Sequence, residues 1–69
     1  MDAHAVLTTF QVGQMLGVAT SSINYWTRAK GLECYRTPGG HRRIVVRDLA
    51  AFLLAWNMPQ PFIIQEPRA

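Results

Sequence analysis

Acidic residues are scarce in this chain: four against seven lysines and arginines in 69 residues, a net charge of +3. Cysteine is scarcer still. Cys34 stands alone, which excludes an internal disulfide and fits a reducing compartment. No apolar run approaches the roughly 20 residues that cross a bilayer. The first residues, Met1-Asp2-Ala3-His4, lack the basic and apolar regions of a signal peptide. There is no CxxC, no HExxH, no glycine-rich phosphate loop ahead of a helix and no carboxylate pair. One cysteine and two distant histidines do not make a metal centre. Ser21 or Ser22 with His41 and Asp48 forms a triad only on paper, because so short a chain has no cleft that excludes water. The expectation is a soluble cytoplasmic protein that is not an enzyme and needs neither cofactor nor metal.

What is present is enough apolar material for one folded domain, 49% of residues, in a chain too short for two. The positive charge is concentrated. Arg28, Lys30, Arg36, Arg42, Arg43 and Arg47 crowd one window in which Glu33 is the only acid before Asp48. Such a cluster either attracts a polyanion and releases its counterions, or is a solvated face; the pattern of the chain decides between them.

Helical spacing begins after Thr8. Thr8 and Gln11 have capping-box spacing, Val12, Met15 and Leu16 recur on one face, and Gly17 is a stop. Helix 1 is expected over residues 9–16. Val18 is expected to plug the core from the turn. Thr20 or Ser21 caps a second helix, over about 20–30, whose face Ile23 and Trp26 share and which Gly31 ends. Its other side carries Ser21, Ser22, Asn24, Tyr25 and Arg28.

The period then changes. Leu32-Glu33-Cys34-Tyr35-Arg36 reads as a strand, Thr37-Pro38-Gly39-Gly40 as a turn, and Arg42-Arg43-Ile44-Val45-Val46 as the return strand. Tyr35 is expected to pack within the hairpin, and Cys34 to behave as a small hydrophobe. A third helix opens at Arg47-Asp48-Leu49 and lines up Leu49, Phe52, Leu53 and Trp56 against Ile23, Trp26 and Leu16. Arg47 either pairs with Glu33 or is solvated. Pro59 and Pro61 end the helix near Asn57. The domain is therefore expected over 1–57, with 58–69 a proline-containing tail or linker whose Phe62-Ile63-Ile64 either packs back or serves a downstream segment.

The order helix, tight turn, helix, basic hairpin, helix resembles the DNA-binding domain of the MerR superfamily, with its BldC-like regulators and excisionase-type proteins. The residues that carry the resemblance are Leu7-Thr8, Met15-Leu16-Gly17-Val18, Ile23 with Trp26, Leu32, the stretch from Arg36 through Gly39-Gly40-His41-Arg42-Arg43 to Ile44, and Asp48-Leu49. It implies an α+β, mainly helical, winged helix-turn-helix. It also implies a bacterial, nucleoid-associated DNA-binding protein, a transcription regulator in the first instance. An excisionase-like architectural DNA-bending factor and the N-terminal targeting module of a larger signalling or response-regulator protein are its alternatives. Helix 2 then enters the major groove with Thr20, Ser21, Ser22, Asn24, Tyr25 and Arg28. The wing contributes Arg36, Thr37, Gly39, Gly40, His41, Arg42 and Arg43. Three positions depart from the family pattern: Ala19 replaces a serine, Tyr25 a basic residue, and the glycine after helix 2 falls one place later, at Gly31. MerR-type regulators carry a long dimerisation helix and an effector domain after this module. The expectation here is no small-molecule effector and weak or no dimerisation, so that specific occupancy needs tandem sites or a partner domain.

These residue types suit DNA. Asparagine makes a bidentate pair with adenine in the major groove, and hydroxyls near a helix start meet phosphates or base edges. Arginine forks match phosphate oxygens. Gly39 and Gly40 either only make the turn or also let it approach the duplex. His41 is either a phosphate donor or a solvated loop residue. Arg42 and Arg43 alternate across their strand, so at most one of them points straight at DNA. A protein-interaction module with a hydrophobic groove remains the rival class; it predicts no salt-dependent DNA affinity.

Overall fold

The computed structural model describes residues 1–61, so Phe62-Ile63-Ile64 lies outside the described residues. The elements are β1 (Val6–Thr8), α1 (Thr9–Leu16), α2 (Thr20–Ala29), β2 (Tyr35–Arg36), β3 (Arg42–Val45) and α3 (Val46–Ala55). This is the winged helix-turn-helix arrangement of three helices and a small antiparallel sheet.

α1 starts as its capping box requires. The Gln11 N–H donates to Thr8 Oγ1 at 3.0 Å, and the Thr8 N–H donates to Gln11 Oε1 at 2.9 Å. All three helices end alike. Gly17, Gly31 and Asn57 take left-handed φ values of 74°, 85° and 57°. The apolar residue after each turns back to the helix: Val18 N–H to the Gly13 carbonyl, Leu32 N–H to Trp26, Met58 N–H to Leu53. Each of these three apolar residues is in or against the core. The device satisfies end carbonyls and returns the chain to the body in one step.

Leu7, Val12, Ile23, Leu32, Ile44, Val46, Leu49, Phe52 and Leu53 form the buried core. Leu16, Val18, Trp26, Cys34 and Met58 pack against it.

Several expectations are corrected. β1 was absent from the sequence reading; it pairs with β3 in the register Leu7↔Ile44, making a three-stranded sheet of order β1-β3-β2. Three residues are too few to show a period of two, and only the partner strand makes them a strand. β2 is Tyr35–Arg36 alone, because the Leu32 N–H closes α2 rather than joining a ladder. α2 has Ala19 as its N-cap with no side-chain bond, so neither Thr20 nor Ser21 is the cap. α3 begins at Val46, one residue early, because Val46 and Arg47 N–H donate to the Ala5 and Ala3 carbonyls at 2.9 Å each. The N-terminal segment thus caps the last helix, as no side chain of its own does. Trp56 is 51% exposed and lies on Phe52, with ring centroids 6.1 Å apart. Met58, returning past Asn57, packs against the core instead. Tyr35, opposite Arg43 in the hairpin, is 49% exposed. Arg47 meets Asp48 at 3.9 Å and His4 Nε2 at 3.5 Å, not Glu33.

The joint between α1 and the turn fixes how α2 leaves it. A Cβ at Gly13 would lie 2.8 Å from the Val18 carbonyl oxygen, a backbone atom with nowhere to go. Alanine is the better helix former by about 1 kcal/mol, but overpacking of this kind costs roughly 1–3 kcal/mol. The 2.8 Å clash with a backbone atom sets the cost towards the upper end of that range, so Gly13→Ala is expected to destabilise the domain by a net of up to about 2 kcal/mol, at roughly 4–8 °C in Tm per kcal/mol for a domain of this size. Thermal unfolding followed by circular dichroism checks this, and an unchanged or raised Tm refutes it.

Candidate nucleic-acid interface

α2 buries Ile23 and rests Trp26 against the core, which turns its other side outward. Ser21, Asn24, Tyr25 and Arg28 fall at i, i+3, i+4 and i+7, one stripe along that side. Ser21, Tyr25 and Arg28 are exposed and Thr20, Ser22 and Asn24 half-buried. No side-chain hydrogen bond among the described residues occupies Thr20, Ser21, Ser22 or Asn24; the Asn24 carbonyl, not its amide, accepts from Thr27. With no side chain capping α2, the N–H groups of Thr20 and Ser21 are open to an outside acceptor, while that of Ser22 already donates to the Ala19 carbonyl at 3.0 Å.

The wing is a hairpin closed by local chemistry. The Gly40 N–H donates to the Thr37 carbonyl at 2.8 Å, and the Thr37 N–H to His41 at 2.9 Å. Gly40 has φ 88°, the left-handed position such a loop needs before its return strand. Gly39 is not left-handed; a Cβ there would meet the His41 ring at 3.4 Å, so Gly39 gives that ring room.

Register sorts the arginines. Arg36 is directly opposite Arg42, and Tyr35 opposite Arg43. Paired residues share a sheet face, and residues two apart on a strand share one as well. Arg36 and Arg42 therefore extend from the face that carries buried Ile44, the face on which the helices pack, while Arg43 belongs to the other. Arg43 also donates from its guanidinium to the Arg42 carbonyl at 3.0 Å.

Two like charges directly opposite on a hairpin repel, and no acid among the described residues pairs with them. Among the described residues the ion-pair contacts are His4–Asp2 at 3.7 Å and Arg47–Asp48 at 3.9 Å; none involves Arg28, Lys30, Arg36, Arg42 or Arg43. The helix stripe and the wing thus both carry cations without acidic partners among the described residues.

A comparison with protein families matches residues 6–56 to the helix-turn-helix domain. The chain belongs to the helix-turn-helix domain family. No curated protein matches it. A helix-turn-helix domain binds double-stranded DNA, and the matched span includes both the α2 stripe and the wing. No described helix is long and apolar enough to cross a membrane.

The sequence reading of this helix-turn-helix domain missed one cluster. The Lys30 ammonium lies 5.8 Å from the Tyr25 ring centroid and 5.7 Å from that of Trp56, and the Arg28 guanidinium lies 5.7 Å from Tyr25. Lys30 closes α2 and Trp56 closes α3, so their meeting carries no sequence signal. The only hint was that Trp56 falls at the very end of its apolar stripe.

Proposed function

We propose that this helix-turn-helix domain is a sequence-specific transcription regulator of the MerR, BldC-like or excisionase type. In this reading α2 lies in the major groove. Asn24 and the hydroxyls of Thr20, Ser21 and Ser22 read base edges or phosphates, and Tyr25 and Arg28 flank them. The wing residues Arg36, Thr37, Gly39, Gly40, His41, Arg42 and Arg43 lie on the phosphates or at the minor groove. Arg36 and Arg42 carry the charge, with Arg43 secondary because it belongs to the other face. The observation that carries the reading is the Arg36–Arg42 pair, two like charges held opposite one another without an acid, an arrangement that favours a polyanionic partner. One short helix and one wing bury little surface, so specific occupancy calls for tandem sites or a partner domain.

The test separates reading from gripping. Asn24→Ala is expected to relax preference at one base pair, a loss of about 1–3 kcal/mol of discrimination, with the salt dependence of binding unchanged. Competition between single-base variants of a selected duplex measures it. Equal loss on every sequence removes Asn24 from base recognition. A duplex bent on binding, seen by gel phasing, assigns the architectural role instead.

A further inference from the structure

We propose that Tyr25, Arg28, Lys30 and Trp56 form a second phosphate grip at the C-terminal end of α2, with Lys30 contacting the DNA backbone and Trp56 positioning it. This rests on the proposal that α2 faces the duplex. Lys30 belongs neither to the helix stripe nor to the wing, and Trp56 lies on another helix.

Three observations converge. First, Lys30 is fixed by rings and not by an acid. Its ammonium lies within cation–π range of two aromatic faces, Tyr25 and Trp56. A carboxylate would orient the ammonium and cancel its charge together. A ring face orients it and leaves both the charge and the N–H donors free for a phosphate oxygen. Second, Arg28 meets the same Tyr25 ring, so one phenol gathers two cations. Neither has an acidic partner among the described residues. Two adjacent unneutralised cations repel each other until an anion arrives. Third, the rings are themselves supported. Trp56 lies on Phe52, and Phe52 lies 5.6 Å from Trp26 in the body of α2. The half-exposed Trp56 is therefore attached to the core through Phe52, which accounts for a large apolar side chain left in solvent. The Tyr25 ring gathers charge from Arg28 and Lys30 instead of supplying its own.

The experiment measures affinity for a mixed-sequence duplex across a salt series. Lys30→Gln is expected to lower the slope of log affinity against log salt by about 0.9, one phosphate contact, to a similar extent on every sequence; Lys30→Arg restores it. Trp56→Leu keeps an apolar contact with Phe52 but removes the ring face. It is expected to weaken binding roughly two- to tenfold, the ordering of one long side chain, with the slope retained and Tm little changed; Trp56→Phe recovers most of the loss. An unchanged slope in Lys30→Gln, in a series where Arg36→Ala with Arg42→Ala does lower it, overturns this grip and leaves the proposed interface standing. If neither variant lowers the slope, the interface itself is misplaced and the grip falls with it. Equal losses for Trp56→Leu and Trp56→Phe remove Trp56 from the positioning role.

Discussion

Replacing Arg36 and Arg42 together by alanine is expected to weaken duplex binding roughly 10- to 100-fold at low salt while leaving the free domain at least as stable. The binding loss follows from two solvent-exposed phosphate contacts at about 0.7–1.4 kcal/mol each, the range of an ordinary net hydrogen bond. The salt slope should fall by about 1.8, two phosphates at about 0.9 each. The stability gain follows from the register. Arg36 and Arg42 are directly opposite on β2 and β3 with no acid between them. Removing such a pair relieves repulsion of roughly 0.2–1 kcal/mol. Opposite signs on affinity and stability separate this result from damage to the fold, which lowers both. Fluorescence anisotropy over a salt series and thermal unfolding of the free protein make the two measurements. An unaltered salt slope removes the wing from the interface. Arg43→Ala alone is the internal control, since Arg43 belongs to the other face and its guanidinium is engaged with the Arg42 carbonyl; its effect should be the smaller.

The second large effect is on folding. Leu49→Ala is expected to leave the domain largely unfolded at 37 °C. Leu49 is fully buried near the start of α3, in a core of nine residues among those described. Truncating a buried leucine costs about 2–5 kcal/mol. At roughly 0.05–0.15 kcal/mol per residue, a domain of this length has only about 3–10 kcal/mol in total. No disulfide shares the burden, since Cys34 is alone. Circular dichroism and the collapse of amide dispersion in the NMR spectrum report the outcome; a cooperative transition within a few degrees of the parent refutes it. Leu54, beside the same core residues in sequence but exposed, is the contrasting site. Leu54→Ala should change Tm little.

Much of the architecture was legible residue by residue. Thr8 and Gln11 announced the start of α1, and Gly17 and Gly31 the ends of α1 and α2, because caps and left-handed stops are made by residues within one turn of each other. The Thr37–Gly40 turn was legible for the same reason. The wing candidates were visible as a run of cations around that turn. The cap of α2 was misread because hydroxyls at Thr20 and Ser21 mimic a capping residue. In the fold they are already inside the helix, past its N-cap at Ala19. Trp56 was misread because helical spacing says which face a residue occupies and not where the core ends along that face.

The amino-acid sequence alone determined the helix–turn–helix and the basic hairpin, since each is written in neighbouring residues. Tertiary structure decided the rest: the pairing of β1 with β3, the capping of α3 by Ala3 and Ala5, the alignment of Arg36 with Arg42, and the seating of Lys30 between Tyr25 and Trp56. The β1 pairing, the α3 cap and the Trp56 contact join residues far apart along the chain, and strand register couples two segments across a turn. Such partners come together only when the whole core closes, and no local pattern encodes that closure.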